Sequence, residues 1–321
     1  MSSRFAGVVA IGLAVGAVDA LAQTYPARPI RVVVPFPAAG AADILARSIG
    51  QELTRIWSQQ IVVDNRPGAG GNIGADLVAK SAPDGYTLLM AAATTHASSV
   101  SLYSKLPYNL EKDLAPVTLA ANISHILLTH PSLPARTVKE LVALAKSQPG
   151  RINWGLQGNG TLSHLETELF KELAGVQVQM VPYKGSAPGL TDLIAGNIQV
   201  FFDSVPPALP HVQAGKLRGI AVAGSKRSPA VPKLPTIGET LKGFEADNWF
   251  GVMAPAGTPP EVVARLNAEI VKILSNPEMR KLMLARGAVL HPSTPGEFAA
   301  IIKSDIEKWG RVVKRSGARI E

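Results

Sequence analysis

The chain has no cysteine among its 321 residues. That excludes disulfide staples, thiol nucleophiles and thiolate metal ligands. Aromatic residues are also scarce, at 5%, and basic residues never run beyond a dipeptide. A nucleic-acid surface needs a basic stripe and stacking side chains. The net charge of +8 therefore reads as a solubility balance or as long-range attraction of small anions. No G-x-S-x-G elbow is present, and the six histidines include no H-E-x-x-H, which removes the best-marked hydrolase and zinc-protease motifs. After residue 22 no apolar run reaches the ~20 residues that a membrane span needs.

The first 22 residues read as an export signal. Arg4 supplies the positive start, Phe5 to Val18 the short apolar stretch, and Ala20-Leu21-Ala22 an A-x-A cleavage site before Gln23. The leader carries one Arg4 and one Asp19, so the mature charge is unchanged. A hydrophobic share of 46% against 17% charged is a globular balance, and the length suggests two domains.

The chain is organised around Ile30 to Leu53. Ile30, Val32, Val33 and Val34 form a β-branched run, Pro35 and Pro37 end it, Ala38-Ala39-Gly40 turns, and Ala41 to Leu53 carries helical periodicity. Small side chains let a ligand reach the backbone, and a helix start offers unpaired N–H groups and partial positive charge. This is either an anion seat or an ordinary tight strand-to-helix turn. Further along, strands and helices alternate, which predicts mostly parallel sheets. Strands are expected at Ile61–Asp64, Thr87–Ala92, Ala115–Ala121, Ile126–Thr129, Ile152–Trp154, Val176–Val181, Ile198–Phe202, Leu217–Val222 and Asn248–Ala254.

Neither glycine-rich segment is a nucleotide motif. Gly68 to Ile73 lacks the third glycine of a dinucleotide fingerprint, and Gly155 to Thr161 lacks the P-loop lysine. Gly158-Asn159-Gly160-Thr161, followed by Ser163-His164, instead brings small residues and hydroxyls to another helix start. Thr161 is either a simple N-cap or part of a second anion seat facing the first. Lys184-Gly185-Ser186 repeats the theme. Asp203 ends a strand, where open α/β sheets bind ligands, although it could equally cap the next helix.

Together these stretches resemble the periplasmic solute receptors of tripartite tricarboxylate transporters, the Bug receptors. The resemblance rests on PIRVVVPFPAAGAAD, VVDNRPGAGGNIGADLVAKSAPDGYTLL, LPYNLEKDLAPVTL, GNGTLSHLETELFK, VPYKGSAPGLTDLIAGNIQVFFD, LPHVQAGKLRGIAV and WFGVMAPAGTP. They follow in order along the mature chain. The resemblance implies a two-lobed, type II-like periplasmic-binding α/β fold, with residues 23–123 and 248–321 in one lobe and 124–247 in the other. It implies a small carboxylate in the cleft, no cofactor, no metal, and two membrane components of the transporter as partners of a monomeric receptor. The expected ligand-binding residues are Pro37, Ala38, Ala39, Gly40, Ala41, Ala42 and Asp43 on the first loop. Gly158, Asn159, Gly160, Thr161 and His164 follow on the second, with Ser186 and Asp203 beyond. Asp43, itself an acid, is expected to bond within its own loop.

Three places depart from the family pattern. Ala39 stands where the family has glycine, Ala42 where it has a hydroxyl, and Leu156-Gln157 where it has small residues. A less hydroxyl-rich pocket is expected. Two other functions use the same residues: a sensor that docks on a kinase ectodomain, and a hydrolase built on Ser163 or His164.

Overall fold

The computed structural model describes residues 25–320; the proposed leader lies outside the described residues. The chain opens with β1 (Ile30–Val34), α1 (Ala41–Trp57), β2 (Ile61–Asn65), α2 (Asn72–Ala79), β3 (Thr87–Ala92), α3 (Ala93–Leu102) and β4 (Leu114–Asn122). A second run holds β5 (His125–Thr129), α4 (Val138–Ser147), β6 (Asn153–Leu156), α5 (Leu162–Ala174), β7 (Gln179–Pro182), α6 (Ser186–Ala195), β8 (Val200–Ser204), α7 (Val205–Gln213) and β9 (Arg218–Val222). The chain closes with β10 (Trp249–Pro255), α8 (Pro260–Ser275), α9 (Pro277–Ala285), β11 (Val289–Leu290) and α10 (Pro295–Ser316).

Two sheets result, with strand orders β11-β4-β10-β3-β1-β2 and β7-β6-β8-β5-β9. The expected parallel pairing holds for β1 with β2 and β3, and for β6 with β7 and β8. In each sheet, however, a reversed strand is inserted. β10 lies antiparallel between β3 and β4, and β5 lies antiparallel between β8 and β9. The reason is connectivity: β5 and β10 are the first strands after the chain crosses from one sheet to the other, so each enters from the opposite end. The crossings also leave β4 and β5, and β9 and β10, as links between the two halves.

Side-chain chemistry explains the cores. Val32, Val34, Leu45, Ile49 and Leu53 bury one face of the first sheet under α1, with α8 and α9 alongside. Trp154, Phe170, Phe202 and Phe244 form an aromatic cluster in the second half, Phe202 and Phe244 stacked with ring centroids 6.0 Å apart. The long α10 serves both: Phe298 and Ile302 pack with the first sheet, while Trp309, Val312 and Val313 join the core of the second.

Four further differences from the sequence reading have a clear local cause. α3 has no counterpart among the expected elements, because ATTHASSVSL has neither strong helix formers nor an apolar stripe; it is buried on nearly every side instead. β6 runs on to Leu156, shortening the glycine loop. Gly155 belongs to the strand because it pairs with Val181 and Phe201, and glycine is needed there because a Cβ would lie 2.5 Å from Ile198 Cδ1 and 2.9 Å from Phe201 Cδ2. β7 starts at Gln179 rather than Val176, since it pairs only along the four residues of β6. α7 starts at Val205, three residues early, because its prolines occupy the first turn, where a missing N–H costs nothing.

Candidate functional site

Two nested cavities lie between the sheets. The inner one, of about 50 Å³, is lined from both halves. The outer cleft, of about 600 Å³, opens above it, and the two share Phe36, Pro37, Gln157, Thr161 and Gly185.

The inner cavity is a meeting point of helix starts. Its lining includes the N-cap residues of five helices: Gly40 of α1, Ala92 of α3, Thr161 of α5, Gly185 of α6 and Ser204 of α7. None of the five has a side-chain cap. The first N–H groups of α1, α3, α5 and α6 thus converge on one small volume with the positive ends of five helix dipoles; α7 adds no free donor, because its Val205 N–H donates to Ser124 O at 3.0 Å and Pro206 and Pro207 follow. Gly71, the N-cap of α2, lines the outer cleft in the same way.

The first loop sends Pro37, Gly40, Ala41 and Ala42 to the inner cavity. Ala38 and Ala39 are exposed and line neither cavity. Ala39 nonetheless shapes the turn: its φ is 65°, in the left-handed region that glycine occupies freely. Asp43 points away from the cavity, into its own loop. Its carboxylate accepts from Ala39 N–H at 3.0 Å, Arg47 Nε at 3.0 Å and Asn65 Nδ2 at 3.0 Å. Burial pushes its pKa up, but these donors outweigh burial and hold it below the usual range.

On the second loop, Gly158, Asn159 and Thr161 line the outer cleft, and Thr161 also reaches the inner cavity. Thr161 is an N-cap by backbone geometry, but its hydroxyl donates to Gly158 O at 2.8 Å. Gly160, at φ 79°, faces the opposite loop: a Cβ on Gly70 would lie 3.0 Å from its carbonyl oxygen. His164 lines neither cavity and accepts the Gly160 N–H through Nδ1 at 3.3 Å. Ser163 is fully buried and accepts the Gln157 N–H at 2.8 Å. The two hydrolase candidates therefore serve the loop backbone, each on its own partner.

Ser186 lines the inner cavity, with Asp203 directly behind it. Asp203 is fully buried, and its Oδ1 accepts from Ser186 Oγ, Gln157 Nε2 and the Ser204 N–H. Its Oδ2 has no partner. Burial pushes its pKa up to about 6 against the pull of these donors.

Sequence reasoning missed several lining residues. Gln157, notable in the sequence only as a departure from small residues, links Asp203 to Ser186. Phe36, Ala92, Thr95, Ser204, Asn248 and Phe250 come together only through the sheet crossings. His125 is opposite Ser204 in the β5–β8 ladder; it belongs to no motif, and only this register brings it to the cavity. Its Nδ1 lies 2.7 Å from Glu166 Oε2. Burial draws the imidazole pKa down, yet the Glu166 carboxylate and Asp203 beyond it bring the net direction up. Among the described residues no cluster suits a metal ion.

A family model described as the tripartite tricarboxylate transporter family receptor matches residues 45–318. Protein BugT of Bordetella pertussis is 38% identical over 323 residues, covering 99% of both chains. Rpa4515 of R. palustris, solved with adipate, superposes with a TM-score of 0.88 at 37% identity, covering 91% of this chain and 98% of that one. MatC of Rhodopseudomonas palustris, with bound malate, gives 0.85 at 34%, covering 90% and 100%. With the two-lobed fold and the interlobe cleft already evident, these matches place the chain in the tripartite tricarboxylate transporter receptor family, the Bug-type periplasmic solute-binding proteins.

Proposed function

We propose that this receptor binds a small organic acid in the inner cavity and hands it to the membrane components of a tripartite tricarboxylate transporter. The convergence on one cavity of five uncapped helix starts, four of them with free N–H donors, carries the reading. Such a site stabilises a carboxylate through backbone N–H donors and dipole ends, without a reactive group aimed at it. The relatives with adipate and malate support the same ligand class. Gly40, Ala41, Ala42, Thr161 and Ser186 are the proposed contacts, with Asp203 holding the floor through Gln157 and Ser186. Asp43 and His164 shape the two loops.

Residues 25–123 with the closing elements, and 124–247, act as the two lobes. α1 and α3 present donors from one and α5 and α6 from the other, so a ligand gains its full set only when both close. The receptor works as a monomer, exported with its leader removed after Ala22. A thermal-shift screen against mono-, di- and tricarboxylates, amino acids and aromatic acids tests the reading. An acid at 100-fold its Kd adds ~2.7 kcal/mol of stability. A screen in which no acid shifts the melting temperature overturns it. Ala42→Thr, which places a hydroxyl on the cavity wall, tightens a dicarboxylate about tenfold in calorimetry; a hydrogen bond to a charged group contributes ~1.5–3 kcal/mol.

A further inference from the structure

None of the lysines or arginines among the described residues lines the inner cavity. Its donors are backbone N–H groups, and a hydrogen bond weakens steeply once its donor is misplaced or misaligned. The grip on a ligand therefore depends on whatever holds the donor-bearing loops in place. For the loop that opens α5, that support comes from across the outer cleft.

Gly160 directly precedes Thr161, the N-cap of α5. A Cβ on Gly160 would collide with the Tyr103 hydroxyl oxygen and lie 3.0 Å from Ile320 Cδ1. On Gly70, in the turn before α2, a Cβ would lie 2.9 Å from the same hydroxyl oxygen and 3.0 Å from Gly160 O. Two glycine backbones and one phenol hydroxyl thus meet with no room for a methyl group on either glycine. Gly160 is buried there, although its neighbour Asn159 is exposed. Ile320 is pinned in turn. Beyond α10 the chain turns at Gly317, at φ 68°, and returns to the end of α3. The Ile320 N–H donates to Leu102 O at 2.9 Å, and Ile320 O accepts the Ser104 N–H at 3.1 Å. Tyr103 and Ile320 both line the outer cleft and pack against the second core.

We propose that Tyr103 and Ile320 are positioning residues: together they clasp Gly160 and hold the start of α5 in register with the starts of α1 and α3 before an acid arrives. The proposal rests on the receptor reading above and adds to it two residues that act through Gly160. Tyr103 is the C-cap of α3, whose other end, at Ala92, lines the inner cavity. One helix of 10 residues, about 15 Å long, therefore carries a donor end at the cavity and the clasp at the cleft. A donor set arranged in advance spends less of the binding free energy on ordering its own loops.

Amide hydrogen exchange on the ligand-free protein, beside calorimetry with adipate, tests it. In a variant carrying both Tyr103→Ala and Ile320→Ala, exchange across 158–161 rises about tenfold while β6 and β8 keep the wild-type rate. Adipate affinity falls about tenfold in the same variant. Equal loop exchange in variant and wild type overturns the proposal. Faster exchange throughout β6 and β8 with a lower melting temperature also overturns it, because that is the mark of side chains that only support the core. Tyr103→Phe keeps the ring and removes only the hydroxyl between the two glycines, so it decides the matter if the double variant does not fold. Its exchange rises in the same direction, across 158–161 alone, and no change there overturns the clasp. Unchanged adipate affinity in a variant whose loop has loosened overturns the positioning role. A wild-type protein that binds no acid in the wider screen overturns the receptor reading, and the exchange result, obtained without ligand, still decides the clasp.

Discussion

Helices that begin at the cleft and helices that begin away from it are built differently. Away from it, Thr137 accepts from the Glu140 N–H at the start of α4, Asn276 from Glu278 and Met279 at α9, and Thr294 forms a full capping box with Glu297 at α10. At the cleft, α1, α3, α5, α6 and α7 begin on glycine, alanine, threonine or serine with no side-chain cap. α8 is the exception outside, and Pro260 at its first position removes one of the donors. An uncapped start leaves free energy unrealised, about 1 kcal/mol for each cap forgone. The same helix ends are stabilised when an anion arrives. Where the fold needs only stability, the chain supplies the acceptor itself; where it needs a ligand, the acceptor is left out.

The strongest way to break this comparison is to put the missing acceptor on the chain. Ala42→Asp places a carboxylate at the second residue of α1, on the wall of the inner cavity. It should weaken acid binding at least 100-fold, about 2.7 kcal/mol, in protein that circular dichroism shows still folds. Unchanged affinity in calorimetry would show that the helix starts are not the ligand's partners.

Asp305 measures what an acid costs when it sits near a cleft-side helix without being a ligand. It is 8% exposed and accepts from Thr94 of α3 at 2.9 Å. Burial pushes its pKa up to about 6 despite that bond and Lys308 nearby. A raised carboxylate pKa means that the folded state holds its proton more tightly than the unfolded chain, whose value is ~3.9. Stability is therefore lost as pH rises from about 4 through 6, and stays lower above that. Asp203, also raised to about 6, acts in the same sense. Taken alone, these two carboxyls favour pH 5 over pH 7.5, while His96 and His164, whose pKa values burial draws down, act in the opposite sense; denaturant unfolding of wild type beside Asp305→Asn at both pH values isolates the Asp305 share. Asp305→Asn should gain about 2 kcal/mol at pH 7.5, since each pH unit separating the folded and unfolded titrations is worth ~1.36 kcal/mol. The gain should be smaller at pH 5.

Thr294→Ala samples the other class. It should cost about 1 kcal/mol of stability and leave ligand affinity within twofold; a matching loss of affinity would mean that capped and uncapped starts are not functionally distinct. The smallest effect is expected at Ala39, held at φ 65°. Ala39→Gly relieves a left-handed alanine and should stabilise the protein by about 1 kcal/mol or less, offset in part by the freedom glycine gains when unfolded. A loss of stability would show that the loop has adapted to alanine.

Much of this is legible in the sequence alone. The β-branched run at Ile30 and the glycine loop at Gly158 mark two strand-to-helix turns, and both reach the cleft. The glycine preference at position 39 is readable as well, because only its backbone conformation matters. What is not legible depends on register and crossing. His125 lies on an unremarkable strand and meets the cavity only because β5 pairs Ser204 opposite it. Ala92 and Thr95 flank the start of a helix whose small polar residues give no periodic signal, and Asn248 arrives with the chain's return to the first sheet. Asp43 is a different case: an acid beside an anion seat is expected to bond within its own loop, and its carboxylate accepts from Ala39, Arg47 and Asn65.

The absence of lysine and arginine from the inner wall bears on unloading. A guanidinium clamp would grip the acid so firmly that release would stall, since each charge-assisted bond must break before the cargo moves on. Peptide dipoles spread across two bodies dissolve together when those bodies part, and water replaces the acid at once. Pro37 and Gly185 meet at that seam, where a methyl group on the glycine would stand 2.9 Å from the proline ring. A transporter that pries the seam apart there dismantles the whole grip in one movement.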